Sequence, residues 1–299
     1  MPHTSTAARH KVMQVAAVAI LPLLSLSSVA CFRGGMQHVD PNLWEWSGAL
    51  AAPGELHLRN MNGAIDVKPA TDGNVRVTAE ARWRRGNPKR DINFVVASSG
   101  SDVSICAVWG HGTCTATDYS TSANSFLKSF LSRSGTDATV KFTVYVPTGV
   151  KVDAYTMNGG VSVLATAPVK AHTTNGNVKV GTAVGPVEAS SVNGSVDARM
   201  TTLSGDGPVK VGTVNGTASA YLPTDFTGAV HVSTANGSAG SDFALTVSGS
   251  QSRNEVDGTI GSGGRRVEVE SVNGGAWLRR LNADGTVAGA GSSKVMEKP

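Results

Sequence analysis

The sequence predicts an all-β protein: a single-stranded, right-handed parallel β-helix (a β-solenoid) with an irregular N-terminal half. Three observations predict it. The dipeptide Asn-Gly recurs along the chain at near-regular spacing. A fixed pattern of Val, Ala, Thr and Ser surrounds each copy. The composition, with 35 Gly and only 5% aromatic residues, suits short strands and tight turns better than long helices. A chain of 299 residues is long enough for one large domain, and a repeat architecture needs no single globular core because it grows by stacking.

Taken in chain order, residues 1–30 read as an export signal. Arg9, His10 and Lys11 form a basic start, Val12 to Leu26 is almost wholly apolar, and Ser28-Val29-Ala30 supplies small residues for a signal peptidase. A retained membrane anchor is the rival reading. It is opposed by an apolar run shorter than the ~20 residues of a spanning helix and broken by Pro22. Cys31 follows directly, which suggests acylation of its thiol in a lipoprotein. Ser28 stands where a Leu-like residue usually precedes such a cysteine, so ordinary cleavage after Ala30 competes. Removal of residues 1–30 takes Arg9 and Lys11 and no acid, so the formal charge falls from +4 to +2. Residues 31–50 read as a tether. The small positive excess, together with export, argues against a nucleic-acid partner, which needs a continuous basic face. Contact with a membrane is expected only through a lipid on Cys31.

Residues 51–281 carry the solenoid. Its corners are Asn62-Gly63, Asn158-Gly159, Asn175-Gly176, Asn193-Gly194, Asn215-Gly216, Asn236-Gly237 and Asn273-Gly274. From Asn158 onward they recur at about 20 residues, with a last gap of about two periods. Asp257-Gly258 falls inside that gap and reads as a degenerate copy. Six residues before each Asn stands Leu or Val: Leu56, Val152, Val169, Val187, Val209, Val230 and Val267. Four before stands Leu, Ala or Val, and two before, from Asn158 onward, stands Thr or Ser: Thr156, Thr173, Ser191, Thr213, Thr234 and Ser271. Apolar or small residues follow at alternate places, as in Val161 and Val163 or Val178 and Val180. Alternation on both sides of a corner means strand, turn, strand. Gly accepts positive φ without a Cβ clash, and Asn tolerates it better than most residues. Asn-Gly is also the strongest hairpin signal. The direct repetition of one block, with length variation confined outside it, favours stacked parallel rungs, which wind right-handed by the usual crossover rule. The hydroxyls two places before each corner are expected to form a ladder beside the Asn amides.

The residue between the two apolar positions should face outward. It reads Asp153, Lys170, Glu188, Lys210, His231 in successive copies. In parallel register these lie ~4.8 Å apart, and opposite charges on neighbouring strands are favourable. Lys179 and Asp197 repeat the pattern after the corner. The first half is less regular: Leu56 to Val67 is one good copy, and Val75–Ala79, Ile92–Val96, Val103–Val108 and Val140–Val146 read as further strands. An insertion at about 110–137 holds Phe126, Leu127, Phe130 and Leu131 on one face of a short amphipathic helix. That helix would cap the open end of the coil or form a partner-binding loop. Residues 282–299 read as a disordered tail.

The stretch Gly258-Thr-Ile-Gly-Ser-Gly-Gly-Arg-Arg-Val-Glu-Val-Glu-Ser-Val-Asn-Gly-Gly-Ala-Trp-Leu resembles the closing segment of a widespread bacterial family, named "putative adhesin" or β-strand-repeat domain of unknown function. The recurring Thr-x-Asn-Gly-x-Val-x-Val blocks are similar to it too, and the likeness covers roughly residues 50–281. It implies an extracytoplasmic β-helical protein and supplies no catalytic residues. The segment around Cys106 and Cys114 departs from the family pattern.

Cys106 and Cys114 are close in sequence and lie beyond an export signal, so a disulfide between them is expected. Zinc ligation by His111 with these two cysteines is the alternative, but a fourth ligand is not evident. No cofactor is expected. The sequence shows no Gly-x-Ser-x-Gly elbow, His-Glu-x-x-His or phosphate loop, and a non-enzymatic protein is the reading. A polysaccharide-active β-helix would need converging carboxylates. Its candidates Asp153, Glu188 and Asp197 read better as ladder charges. The expected role is a cell-envelope surface protein, in the periplasm or at the cell surface, that binds a protein or glycan. A structural or signalling lipoprotein acting through a partner is the second reading.

Overall fold

The computed structural model describes residues 38–110, 112–115, 118–120, 136–165, 167–247 and 252–288, and every structural statement concerns these. They form a ten-stranded sheet, an eleven-stranded sheet and a small two-stranded one. The fold is all-β, with one four-residue helix at Pro88–Asp91 among the described residues. Each repeat supplies two strands. The strand before the corner enters the eleven-stranded sheet and the strand after it enters the ten-stranded sheet, as with Val169–Asn175 and Val178–Gly181. A turn of the coil is therefore a two-strand rung, named below by its corner asparagine.

The period-two pattern decides which side chains are inside. In the Asn175 rung Val169, Ala171, Val178 and Val180 are buried, while Lys170 and Lys179 are exposed. Neighbouring rungs are parallel and in register: Val152 faces Val169, Val169 faces Val187, and Val187 faces Val209. The core is thus a narrow column of small aliphatic side chains. Larger side chains enter it at several rungs: Phe142, Leu56, Leu58, Met200, Leu222 and Leu278 are fully buried. Burying each Val is worth about 1.5–3 kcal/mol, so a stack of rungs is stabilised without aromatic bulk.

The order of rungs departs from the order of the sequence. The Asn62 rung lies directly on the Asn158 rung, with Leu56 facing Val152. At the far end Asn273, not Asn236, follows Asn215, and Asn236 is the outermost rung. The chain passes to the outer place first, runs back through Glu255–Ile260 antiparallel to Gly228–Asn236, and then slots Arg265–Asn273 into the open position. Gly261, Gly263 and Gly264 take φ of +59°, +84° and +122° in the return turn. Asp257-Gly258 is accordingly not a corner. It lies within the antiparallel strand, where His231 faces Asp257. Two places before Asp257 stands Glu255, where the corner blocks carry Thr, Ser or Asn that donates to a glycine carbonyl.

Two segments expected to be loose are ordered in part. His38–Ala49 is no tether but a strand antiparallel to Asn74–Trp83. Leu43, Trp44 and Trp46 pack against the core, and the Trp44 ring stacks on Phe94 at 5.0 Å, which gives this segment apolar area to bury. Residues 282–288 fold back on the last strand: Leu281 pairs with Val287, and Ala288 N–H donates to the Arg280 carbonyl at 2.8 Å. The expected signal segment 1–30, Cys31, His111, the stretch from Phe126 to Leu131 expected to be helical, and the expected tail beyond Ala288 lie outside the described residues.

Candidate functional site

The corners are built as an inter-rung lattice. Asn175 Nδ2 donates to Asn158 Oδ1 at 2.9 Å, and the relay continues through Asn193, Asn215, Asn273 and Asn236 at 2.8–2.9 Å. Asn62 donates instead to the Ala138 carbonyl. Behind this row, each hydroxyl two places before a corner donates to the glycine carbonyl of the rung beneath. Thr156 reaches Gly63, Thr173 reaches Gly159, Ser191 reaches Gly176, Thr213 reaches Gly194, Ser271 reaches Gly216 and Thr234 reaches Gly274, all at 2.7–3.0 Å. Gly63, Gly159, Gly176, Gly194, Gly216 and Gly274 hold φ of +127° to +154°. Gly237 is required by space: a Cβ there would stand 1.9 Å from the Gly274 carbonyl oxygen. Corner residues are thus consumed in holding rungs together.

Function therefore has to come from the outward faces. On the eleven-stranded sheet one row reads His57, Asp153, Lys170, Glu188, Lys210, Glu268, His231, Asp257 across eight adjacent strands. Acids alternate with bases or histidines throughout, because Glu268 enters between Lys210 and His231. Lys210 Nζ lies 3.4 Å from Glu268, and Lys170 Nζ reaches Glu55 at 3.6 Å. Glu268 titrates below the usual carboxylate range: burial pushes it up, but hydrogen bonds from Arg266 and Lys210 outweigh that. On the other sheet Lys179 faces Asp197. The three acids weighed for a polysaccharide site do not converge, since Asp153 and Glu188 lie on one sheet and Asp197 on the other.

Two clusters break the ladder's regularity, one at each end. Near the first rung, Glu55, His57 and Asp153 bring one ligand atom each within 4.8 Å. Arg59 closes this cluster: it forks onto Asp153 at 2.6 and 3.1 Å, while His57 Nδ1 lies 3.0 Å from the same carboxylate. Burial raises the Asp153 carboxyl, yet hydrogen bonds from His57 and Arg59, then their charges, hold it well below the usual range. At the last rung, His231, Glu255 and Asp257 form the equivalent group, with no lysine or arginine ion-paired to it among the described residues. His172, two places along from Lys170, is held neutral by burial above all and hydrogen-bonds Ser190 at 2.7 Å.

A third feature is a cleft of about 240 Å³ lined by Arg59, Asn60, Met61, Tyr119, Tyr155 and Met157. Asn60 takes the hydroxyl's place in the first rung: its Nδ2 donates to the carbonyls of Gly63 and Val140. Its buried Oδ1 has no partner among the described residues. Cys106 and Cys114 form a disulfide that ties the Thr113–Cys114 strand to Asp102–Trp109. This takes both sulfurs out of consideration as zinc ligands. No helix among the described residues is long and apolar enough to cross a membrane.

Of the residues singled out in the sequence, Asp153, Lys170, Glu188, Lys210 and His231 share the outward face of the eleven-stranded sheet, Lys179 and Asp197 lie on the other sheet, and the corners line one edge. Sequence reasoning missed Arg59, Glu255, Glu268 and Glu270. The signal available was the alternation Glu255-x-Asp257 and Glu268-x-Glu270, which puts each pair on one face of a strand.

No curated protein matches the chain. Among solved structures, a "putative cell adhesion protein" from Clostridium sporogenes is 11% identical, covers 81% of this chain and 100% of its own, and superposes with a TM-score of 0.42. A "putative adhesin" from Bacteroides fragilis is 10% identical, with 83% and 99% covered and a TM-score of 0.36. The family model described as Toastrack DUF4097 matches residues 148–277, the regular part of the coil.

Proposed function

We propose that this chain is an exported, non-enzymatic envelope protein whose right-handed two-sheet coil presents a binding surface to a protein or glycan. The observation that carries the reading is the charge row on the eleven-stranded sheet. Eight in-register positions, acids alternating with lysines or histidines, make an extended polar face, and solenoids use such extended faces for recognition. Most of its charges are half-spent on their neighbours. A partner would gain from many weak, well-placed contacts rather than from one deep pocket, and charge complementarity would set its register.

A pull-down from intact cells with the mature domain tests this, comparing the native face with Lys170→Glu and Lys210→Glu. Capture of a surface protein or glycan by the native face, reduced at least tenfold by the variants, is expected. Equal capture by native and variant faces would refute the assignment to this face. Turnover of a polysaccharide would refute the non-enzymatic reading. Attachment through Cys31 is part of the same proposal, and its support is the small-residue run before that cysteine. Labelled palmitate should enter the native chain and not Cys31→Ser.

A further inference from the structure

The outermost rung holds an arrangement that a general binding face does not need. His231 sits at the centre of the outward side of Gly228–Asn236. Asp257 lies directly across from it on one neighbouring strand and Glu268 on the other. Two places along, Glu255 and Glu270 flank Ser233 in the same way. One imidazole is thus surrounded by four carboxylates. His231 Nδ1 stands 2.7 Å from Asp257 Oδ1, and its Nε2 faces Glu270 at 3.9 Å.

Charge separates these acids. Glu268 is matched by Lys210 at 3.4 Å and Arg266 at 2.5 Å. Glu255, Asp257 and Glu270 have no lysine or arginine ion-paired to them among the described residues. Elsewhere along the ladder an acid meets a base on the next strand, and here three acids meet a single histidine. The opposite end of the same sheet is an internal control. Glu55, His57 and Asp153 are the same residue types at the same closeness. There Arg59 forks onto Asp153 and Lys170 reaches Glu55, so cations from the protein already occupy the site. The first cluster is filled and the last is open.

We propose that His231, Glu255 and Asp257 bind a divalent transition-metal cation of the zinc type. One ligand atom from each lies within 4.8 Å of the others, and bonds of about 2.0–2.2 Å to a shared ion require these partly exposed side chains to draw together slightly by rotation. An imidazole with two carboxylates favours zinc-type ions over calcium or magnesium, which prefer oxygen alone. Metal at Nδ1 replaces the proton that would otherwise bridge to Asp257. The remaining Nε2–H would then face Glu270, 3.9 Å away, which a small side-chain rotation would bring in as the carboxylate support that metal-bound histidines usually have. The ion would pin the antiparallel strand Glu255–Ile260 to the last parallel strand, where the stack has no further rung to hold it.

Isothermal titration of ZnCl2 into chelator-treated, exported protein tests the site. One saturable ion per chain is expected, and a tenfold excess of CaCl2 should leave it bound. His231→Gln and Asp257→Asn should each weaken zinc by at least about tenfold, whereas His57→Gln should change the affinity less than twofold. In the native protein, zinc should shift the imidazole NMR resonances of His231 and not those of His57, a readout that stands even if a variant fails to fold. Absence of saturable zinc, displacement by calcium, native affinity in His231→Gln, or a shift at His57 would each overturn the proposal. None of these outcomes bears on the charged face of the inner rungs, which the pull-down tests separately.

Discussion

Replacing Gly176 by Ala should destabilise the coil far more than an ordinary surface substitution. The new Cβ would stand 2.2 Å from the Gly159 carbonyl oxygen and 2.5 Å from its carbon. Both are backbone atoms of the rung beneath, so no side-chain rotation relieves the clash, and the two corners must separate. Three inter-rung hydrogen bonds cross that gap. Gly159 N–H donates to the Asn175 carbonyl, Thr173 Oγ1 donates to the Gly159 carbonyl, and Asn175 Nδ2 donates to Asn158, at 2.8, 2.8 and 2.9 Å. At about 1 kcal/mol each, their loss costs ~3 kcal/mol. Gly176 also holds φ at +152°, which adds roughly 1–3 kcal/mol for a residue with a Cβ. The sum, about 4–6 kcal/mol, is a large share of the 5–15 kcal/mol typical of a folded domain. Gly73 is the control: a Cβ there meets nothing within 4 Å, and Gly73→Ala should stay within about 0.5 kcal/mol. Urea unfolding of the oxidised protein measures both. A cost for Gly176→Ala within 0.5 kcal/mol of the control would refute the view that the corner glycines are fixed by the rung beneath.

Ser191→Ala removes the hydroxyl that serves the Gly176 carbonyl and leaves that acceptor unserved in the corner; a loss of about 1–2 kcal/mol is expected in the same urea assay. Asp153, held below the usual carboxylate range, stabilises the fold above the pKa of ~3.9 of an unfolded aspartate, and that contribution is lost as pH falls through its lower folded value. Asp153→Asn should therefore cost about 2–3 kcal/mol at pH 7, and the stability curves of native and variant protein should approach each other in acid; a gap that stays constant with pH would contradict the assignment. The Cys106–Cys114 disulfide closes a short loop with a sequence separation of 8. Non-reducing mass spectrometry should find this pair linked, and Cys114→Ser should cost about 2–3 kcal/mol by loop closure.

The sequence by itself determines the unit of this protein. Which side chains turn inward, where the chain bends, and which hydroxyl sits two places before each bend follow from residue type and period-two alternation, because these are local properties of a strand and a turn. The charge row was legible as far as Lys210 for the same reason. Which rung touches which was decided only in the tertiary structure. The blocks ending at Asn215, Asn236 and Asn273 carry the same apolar and hydroxyl pattern, so any one fits against any other, and nothing local specifies their order. In the structure Glu255–Ile260 covers the outer edge of Gly228–Asn236, and Arg265–Asn273 pairs along its inner edge. That return brings Glu255 and Asp257 beside His231 and places Glu270 on its other side. Four residues from three strands meet there with no spacing in the chain to announce them. At the N-terminal end His38–Ala49 reads as a polar tether until Trp44 finds Phe94. The physical reason is common to both ends: alternation encodes the face a residue takes within its own strand, whereas neighbours across a sheet are chosen by the edges that the rest of the fold leaves open.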